Sequence, residues 1–593
     1  MLVCPGLASG ASASSALEEV DSPCLTPQEQ QVPADLQARG DRAAVLIRRA
    51  FESPEASPDR TCLLRHALSL LEANLDQAPP DSAHHLRARF DRVLALRAAG
   101  RYAEAGEAFD SVLDGGLEPP PYVVNAAADS YLAQRMPERA GDLYRRSLAA
   151  DAGQFDTRIG LFFAQVESEQ LEEALALVDE LAAGESGHLA VEARVMAAMG
   201  RAYAGRLAEA EAMLEQLKAE EPDSPRVAQA MADVQRWRGR PERSLANYER
   251  ALAGSPGDTG IRTGMVEAWL DLGRHRAAGR ELETLALERP DHPAVARVER
   301  ARELEASPRL ELRTEAGDSD GENFGTRDSL ARVRLWGPRV NDHWRPFAVG
   351  YTASADFPEG DERYRRLGAG VAWDANRVQV QGQVHRAAGF DTGGAMDASW
   401  WLNDQWRLGA SLDTDSLQVP LRARRRDIGG DMNAASIRYR HSESREASLG
   451  FTGLDMDDGN DRRSLSASVS QRLVTRDYYR LAGGLGGYAS RNSLENRPYF
   501  NPERDASMQA SLDQTWIAWR RYESRLSHQL TAHGGLYRQE GFSTEPTGGL
   551  RYALEWRWRD SLTLELGAGV RSNVYDGDRE RRDYLFFNLT QVY

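Results

Sequence analysis

At 593 residues the chain is too long for one ordinary domain. With 41% apolar and 27% charged residues it is neither a disordered nor a collagen-like polymer. A mean hydropathy of -0.56, with no apolar run near about 18 residues, excludes a bundle of membrane-spanning helices but not a β-barrel, whose alternating strands average to a polar composition. The net charge of -17 sits at the front. Residues 1–306 hold 34 basic and 50 acidic residues, a net of -16, against 39 and 40 from Ser307 onward. Such a front half repels nucleic acid and anionic lipid, and suits either a solvated surface or a cationic partner.

In chain order, Leu2, Val3 and Leu7 precede Ala11-Ser12-Ala13, which resembles the end of an export signal without its positively charged start. Residues 1–30 are therefore expected to be a truncated signal or a disordered lead. Cys4, Cys24 and Cys62 form no CxxC or zinc-like spacing, and the adjacent His84 and His85 lack the i, i+4 geometry of a helical metal site, so no metal or cofactor is expected. A Cys24–Cys62 disulfide is compatible with an oxidising compartment, and spacing alone leaves it open.

The front half repeats. Small residues recur at Ala105, Ala140, Ala174, Ala210, Ser244 and Ala278, with spacings of 35, 34, 36, 34 and 34. Four positions after each come Phe109, Tyr144, Val178, Leu214, Tyr248 and Leu282, and Pro222, Pro256, Pro290 and Gly205, Gly239, Gly273 keep the same step. This resembles the tetratricopeptide repeat (TPR), two antiparallel helices in 34 residues. The small residue lets the helices of a unit approach, the larger one fills the groove between units, Gly opens the intra-unit turn and Pro ends the second helix. Six phased units span about residues 90–290 inside a helical domain of 31–306. Residues from Leu36 to Asp81 look helical but off-phase, as a capping segment does. A curved array of this kind binds a protein partner on its concave face, while most of its Arg and Glu form a solvated surface.

Near Ala306 the period changes. Ser307-Pro308 breaks the helix, and about sixteen segments of period two run to Tyr593, making 307–593 a β domain. Val378, Val380 and Val384 oppose Gln379, Gln381, Gln383 and His385; Leu550, Tyr552, Leu554, Trp556 and Trp558 oppose Arg551, Glu555 and Arg557. Short connections near Asn376, Asn403-Asp404, Ser444, Arg476-Asp477 and Arg559-Asp560 alternate with longer ones at Asp318 to Gly325, Phe357 to Glu362, Asp415 to Asp431, Asp457 to Asp461 and Asn492 to Arg504. A soluble sandwich or propeller would also alternate, but would not place Trp373, Trp406, Trp519 and Trp558 beside the short turns. An outer-membrane barrel requires such girdles, short periplasmic turns, long outer loops and an even strand number. The chain ends in Tyr593, like an outer-membrane assembly signal, although Gln591 stands where that signal has an aromatic or apolar residue. The expected fold is an α-helical TPR superhelix followed by a 16-stranded antiparallel outer-membrane β-barrel.

The pairing resembles the poly-β-1,6-N-acetyl-D-glucosamine export porin (PgaA) family. Local stretches carry the likeness: Tyr351 to Pro358, Asp415 to Ala423, Arg438-Tyr439-Arg440 with Ser442 to Glu446, Pro498 to Pro502, and Tyr575 to Arg582. The barrel resemblance covers about Leu310 to the C-terminus; over the TPR half only the repeat pattern carries it. The resemblance implies export of a biofilm polysaccharide across the outer membrane. It further implies a TPR domain that recruits a periplasmic deacetylase, and a partly de-N-acetylated polymer that passes an electronegative pore as a cation. A barrel of sixteen strands is wide enough for an aqueous lumen, and a monomeric barrel in outer-membrane lipid is expected.

Two other readings stand beside the transporter. In one the barrel only anchors a TPR scaffold, or exports a different exopolysaccharide. In the other an outer-membrane enzyme places a nucleophile and base at one rim, but His385, His441, His528 and His533 sit in no Ser/His/Asp motif, so no catalytic residue is expected. Acids mark the expected polymer path. Pattern places Glu446, Glu555 and Glu565 on inward faces, and Asp413, Asp415, Asp455, Asp457 and Asp458 where strands leave the membrane into outer loops. A carboxylate facing lipid costs roughly 2 kcal/mol or more near the midplane, which favours inward placement. Glu555 has Arg551 and Arg557 on its own face and Glu565 meets arginines across the ladder, leaving the loop-proximal aspartates as the stronger transport candidates.

Overall fold

The computed structural model describes residues 24–26, 31–53, 57–151, 153–290, 292–323, 325–389 and 392–593; the signal-like stretch before Cys24 lies outside them. Cys24 and Cys62 are joined in a disulfide with Cα atoms 6.1 Å apart. The bond ties the segment ahead of the first helix to the helix Pro58–Gln77.

Helices Leu36–Glu52 and Pro58–Gln77 form the off-phase front pair. Six pairs follow: Ala83–Ala98 with Tyr102–Asp114, Pro121–Ala133 with Pro137–Ala150, Phe155–Glu167 with Leu171–Gly184, Gly187–Tyr203 with Leu207–Glu220, Pro225–Trp237 with Pro241–Gly254, and Thr259–Asp271 with His275–Glu288. Pro293–Ala306 closes the array. The phased small residues Ala105, Ala140, Ala174, Ala210, Ser244 and Ala278 are all buried at helix crossings. Pro222, Pro256 and Pro290 each lie two residues beyond a helix end, where a missing N–H costs nothing. The groove-filling residues pack as size demands. Tyr144 and Tyr248 are fully buried, and the next unit makes room with Gly160 and Gly264, whose added Cβ would lie 2.5 and 2.4 Å from those rings.

Sixteen strands follow. The first eight are Arg309–Ser319 (β1), Arg327–Trp336 (β2), Trp344–Phe357 (β3), Gly360–Ala375 (β4), Val378–Ala387 (β5), Thr392–Trp401 (β6), Trp406–Asp413 (β7) and Gly430–Ser442 (β8). The others are Arg445–Met456 (β9), Asp461–Arg476 (β10), Tyr479–Asn492 (β11), Arg504–Arg521 (β12), Ser524–Gln539 (β13), Glu545–Trp558 (β14), Leu562–Tyr575 (β15) and Asp578–Val592 (β16). Each pairs antiparallel with its sequence neighbours and β1 pairs with β16 to close the barrel, Arg309 standing opposite Val592. Residues paired across the ladders share a face, so the register sorts every side chain inward or outward. The outward set includes Leu367, Val384, Met508 and Leu585, all strongly exposed on the isolated chain, and the girdle residues Trp406, Trp519 and Trp558. Two outer connections are shorter than the sequence suggests. Phe357 and Gly360 pair directly across a tight turn, and Met456 connects to Asp461 through four residues; acidic, polar composition alone does not distinguish a tight turn from a long loop.

The helical array is docked on the barrel's periplasmic rim. At the six intra-unit turns the backbone is left-handed: Gly100, Arg135, Glu169, Gly205, Gly239 and Gly273 have φ between 60° and 77°. Glycine suits these positions; a side chain there costs about 1–2 kcal/mol. The two exceptions are held by the barrel. Arg135 donates to both carboxylate oxygens of Glu523 at 2.9 and 2.8 Å, and Glu169 accepts from Arg520 Nε at 2.7 Å and from Tyr478, whose Oη donates to its carbonyl at 3.1 Å.

Further along the array Arg238 pairs with Glu443 at 3.1 Å. Asp404 accepts from the backbone N–H of Glu242 and Arg243 at 3.0 and 3.1 Å, capping the positive end of a repeat helix. Asn376 N–H donates to Gly273 O at 3.1 Å and Arg339 N–H to Ala306 O at 2.8 Å. At the same seam His275, Glu305 and Asp374 bring ligand-type atoms within 4.8 Å of one another, and the Arg339 guanidinium reaches Glu305 at 2.8 Å and Asp374 at 3.7 Å. Arg300 meets Asp560 at 3.3 Å. Every one of the seven hairpins at this end thus touches the helical domain.

A buried carboxylate lies within this seam. Glu167 is buried against the hairpin after β12, with Tyr522 Oη donating to its Oε2 at 3.0 Å. Burial raises its pKa to about 7; Tyr522, Arg135 and Arg521 oppose the rise and Glu523 adds to it. A folded-state value above the unfolded one means that Glu167 supports the docked state fully below about pH 4.5 and ceases to as pH rises through about 7. Hydrogen exchange at the Tyr522 hairpin of the full chain is expected to quicken across that window, after correction for intrinsic rates, and Glu167→Gln is expected to flatten the change. Identical profiles for the two proteins would refute this assignment.

Candidate functional site

The register gives the barrel interior two unlike walls. On β9 to β12 the inward positions are small and hydroxylated: Ser448, Gly450 and Thr452, then Ser464, Ser466, Ser468 and Ser470, then Gly484 and Gly486, then Ser507, Gln509 and Ser511. On β1 and β2, across the barrel, Arg313 stands opposite Arg332, and the Arg334 guanidinium lies over the Trp336 and Phe347 rings at 5.1 and 5.2 Å. The periplasmic half holds a cavity of about 530 Å³ whose lining includes Gln381, Asp397, Ser399, Ser411 and Arg407. Hydroxyls, amides and guanidinium groups in an aqueous lumen offer many weak contacts to a hydroxylated chain, as conduction requires.

The expected path acids fall into three groups. Glu446, Glu555 and Glu565 do face inward, and each is matched. Glu446 lies 3.4 and 3.5 Å from Arg438 and Arg440, Glu555 meets Arg525 and Arg557 at 2.6 and 2.9 Å, and Glu565 meets Arg551 at 2.7 Å. Asp413 ends β7 on the inward face and binds Arg366 at 2.8 Å. Asp415 and Asp458 lie in the outer connections beside it, and Asp457 accepts from Gly429 N–H at 3.0 Å. Asp455 departs from expectation: it occupies an outward position on β9 and pairs with Arg463 at 2.5 Å. The period of two moves a residue to the other face for each step along the strand, and Leu454 is the inward neighbour.

Nor are the other loop-proximal aspartates free. Asp415 accepts from Arg424 at 2.6 Å and from Tyr364 Oη at 2.9 Å, and Asp458 accepts from Tyr499 Oη at 3.0 Å. These are the fastenings of a lid. Val419, Ala423 and Tyr499 from two outer connections pack on Leu454 and Met456 of β9, with Ile428 and Met432 against them. Arg424, on the short helix Leu421–Arg424, is buried with its guanidinium 3.8 Å from the Tyr364 ring centroid. Two carboxylates that pattern did not single out are better placed in the open lumen. Asp397 is met by Gln381 and Ser411 at 2.8 Å each, and Asp513 by Thr531 at 2.7 Å; neither has an ion-pair partner among the described residues. Their signal was available: both are acids in the inward phase of a strand.

Residues 306–593 match the family described as PgaA membrane beta barrel domain, and residues 238–301 match a tetratricopeptide repeat family. The barrel domain belongs to the PgaA family. It is 24% identical over 580 residues to the poly-beta-1,6-N-acetyl-D-glucosamine export protein of Escherichia coli (strain K12), covering 93% of this chain and 72% of that protein, with the same figures for the protein of Escherichia coli O157:H7. A solved structure titled bacterial polysaccharide outer membrane secretin is similar at a TM-score of 0.46 and 24% identity, covering 49% of this chain and 99% of that one. With its PgaA-type barrel in the outer membrane, the chain holds its repeat domain in the periplasm.

Arg424→Ala leaves the Asp415 carboxylate without its buried guanidinium, a loss of about 3–5 kcal/mol to the docked lid. Single-channel recordings of the variant are expected to show a larger and noisier conductance than the native chain, with heat-modifiability unchanged. Equal conductance would mean that the lid does not restrict the outer mouth.

Proposed function

We propose that this protein exports partly de-N-acetylated poly-β-1,6-N-acetyl-D-glucosamine, and that its repeat domain docks a periplasmic polysaccharide deacetylase. The observation that supports the reading best is the coupling of a hydroxyl-lined lumen to a repeat array seated on its periplasmic rim, in a chain resembling the Escherichia coli export protein over most of its length. The repeat turns face the barrel, so the helix faces away from those turns remain for a partner, and the partner's product is released next to the mouth. The path acids of this proposal are Asp413, Asp415, Asp457, Asp458, Glu446, Glu555 and Glu565, with Asp397 and Asp513 added. Ammonium groups on the polymer exchange briefly among them. Catalysis has no part in the reading: His385 Nε2 lies 2.9 Å from Thr414 O and His528 Nδ1 lies 2.6 Å from Tyr552 Oη, and the reading gives neither a chemical role.

The test is export by cells carrying Asp397→Asn with Asp513→Asn, compared with cells carrying Asp413→Asn with Asp415→Asn. Either pair is expected to lower secreted polymer bearing free amines severalfold and to lower cation preference in bilayers, with the barrel still heat-modifiable. Unchanged export and selectivity in both would leave width as the only filter. Separately, the full chain is expected to capture the deacetylase in a pull-down, and capture should fail when bulky charges replace exposed residues of the repeat faces; no capture by the native chain would refute the docking role.

A further inference from the structure

A second cavity, of about 420 Å³, opens where the repeat collar meets the periplasmic end of the lumen, a size typical of small-ligand sites. Seven arginines and four carboxylates line it, so cations are in excess. Arg520 is matched by Glu169, but Arg525 and Arg557 stand opposite one another and share one carboxylate, Glu555. Arg480 faces inward on β11, beside the Arg472–Ala482 pair of the ladder. Its side chain has no hydrogen-bond or ion-pair partner among the described residues, and it lines the cavity together with Arg472, Arg520, Arg525 and Arg557. Arg472 gives one Nη to the backbone carbonyl of Glu443 at 3.2 Å and meets no carboxylate among the described residues. Like charges gathered this way cost stability, and the arrangement is relieved by a bound anion.

The facing wall comes from the repeat domain. Trp237 lines the cavity and is backed by Tyr203, with ring centroids 5.8 Å apart. A flat indole presents a surface for the C–H face of a sugar ring, while a guanidinium fork donates two parallel hydrogen bonds to a carboxylate. An ammonium-bearing sugar is repelled by the same set. We propose that this cavity binds a carboxylate-bearing saccharide, its carboxylate held by Arg480 and Arg472 and its ring against Trp237. The site shares only Glu555 with the acids of the export path, through Arg525 and Arg557, and stands whether or not the exported polymer is cationic.

The test is current block of the full-length protein in a planar bilayer by tri-galacturonate added on the periplasmic side. Tri-N-acetylglucosamine and inorganic phosphate serve as comparison probes. The expected result is block by tri-galacturonate at concentrations at least tenfold below those needed for the uncharged trimer or for phosphate. Arg480→Gln, Arg472→Gln and Trp237→Ala should each weaken it about tenfold or more. The variants are compared only where heat-modifiability and open-channel conductance match the native protein. Arg472→Gln and Trp237→Ala carry the test if Arg480→Gln does not assemble. Equal block by charged and uncharged trimers, or native block in the variants, overturns the proposal. Phosphate acting as well as tri-galacturonate, with Trp237→Ala unchanged, overturns the saccharide assignment, since a bare anion site would then explain the arginines.

Discussion

In hydrocarbon no water satisfies a backbone N–H or C=O, so a sheet crosses a membrane only if its last strand returns to its first. The pairing of β1 with β16 meets that requirement, and much else follows from it. Closure with antiparallel neighbours fixes an even strand number, sends alternate connections to opposite sides, and turns the period of two into a division between lipid and lumen. Acids and arginines that would be costly against lipid are thereby gathered inside, where they neutralise one another in pairs such as Glu565 with Arg551. The interior is consequently not the uniformly acidic tube that a count of inward carboxylates suggests. It has a hydroxyl wall, an arginine wall, and a few carboxylates without cations.

Closure also creates a ring of hairpins, and the helical domain is built to sit on it. The contacts are mostly charged and half-buried, as interfaces between separately stable domains are. Most come from the repeat turns between Arg135 and Gly273 and from the helix ends beside them, the rest from the closing helix. At Gly273 the barrel approaches the backbone closely: a Cβ there would stand 3.2 Å from Asn376 N. Where the turn residue is Arg135 or Glu169, strained backbone is held by a bidentate ion pair. The excess acid of the front half is thus partly spoken for by Arg339, Arg377, Arg520 and Arg521 of the rim.

Most of the architecture was legible because it rests on periodicities. The 34-residue step exposed the paired helices through Ala105 to Ala278, and the two-residue step exposed the strands and the inward position of Glu446, Glu555 and Glu565. What depends on contacts between distant segments was hidden. The outward turn of Asp455 needed the register of β9, and the fastening of Asp415 and Asp458 needed to know that two outer loops fold back over the mouth. The seam left a faint trace. Gly205, Gly239 and Gly273 belong to a longer series, and its interruption by Arg135 and Glu169 marks where a side chain is wanted despite the backbone.

A solenoid is ordinarily free to gain or lose a unit, since each repeat touches only its neighbours. Here the repeats are laid along the rim in the sense opposite to the strand order, from Arg135 at the β12–β13 hairpin to Gly273 at the β4–β5 hairpin. The pitch of the superhelix must therefore follow the curvature of the rim. Deleting one unit would displace those beyond it along the rim, so that Arg135 and Gly273 could not both keep their hairpins. The number of repeats over the rim and the circumference of the pore are thus tied together, and neither is free to drift without the other.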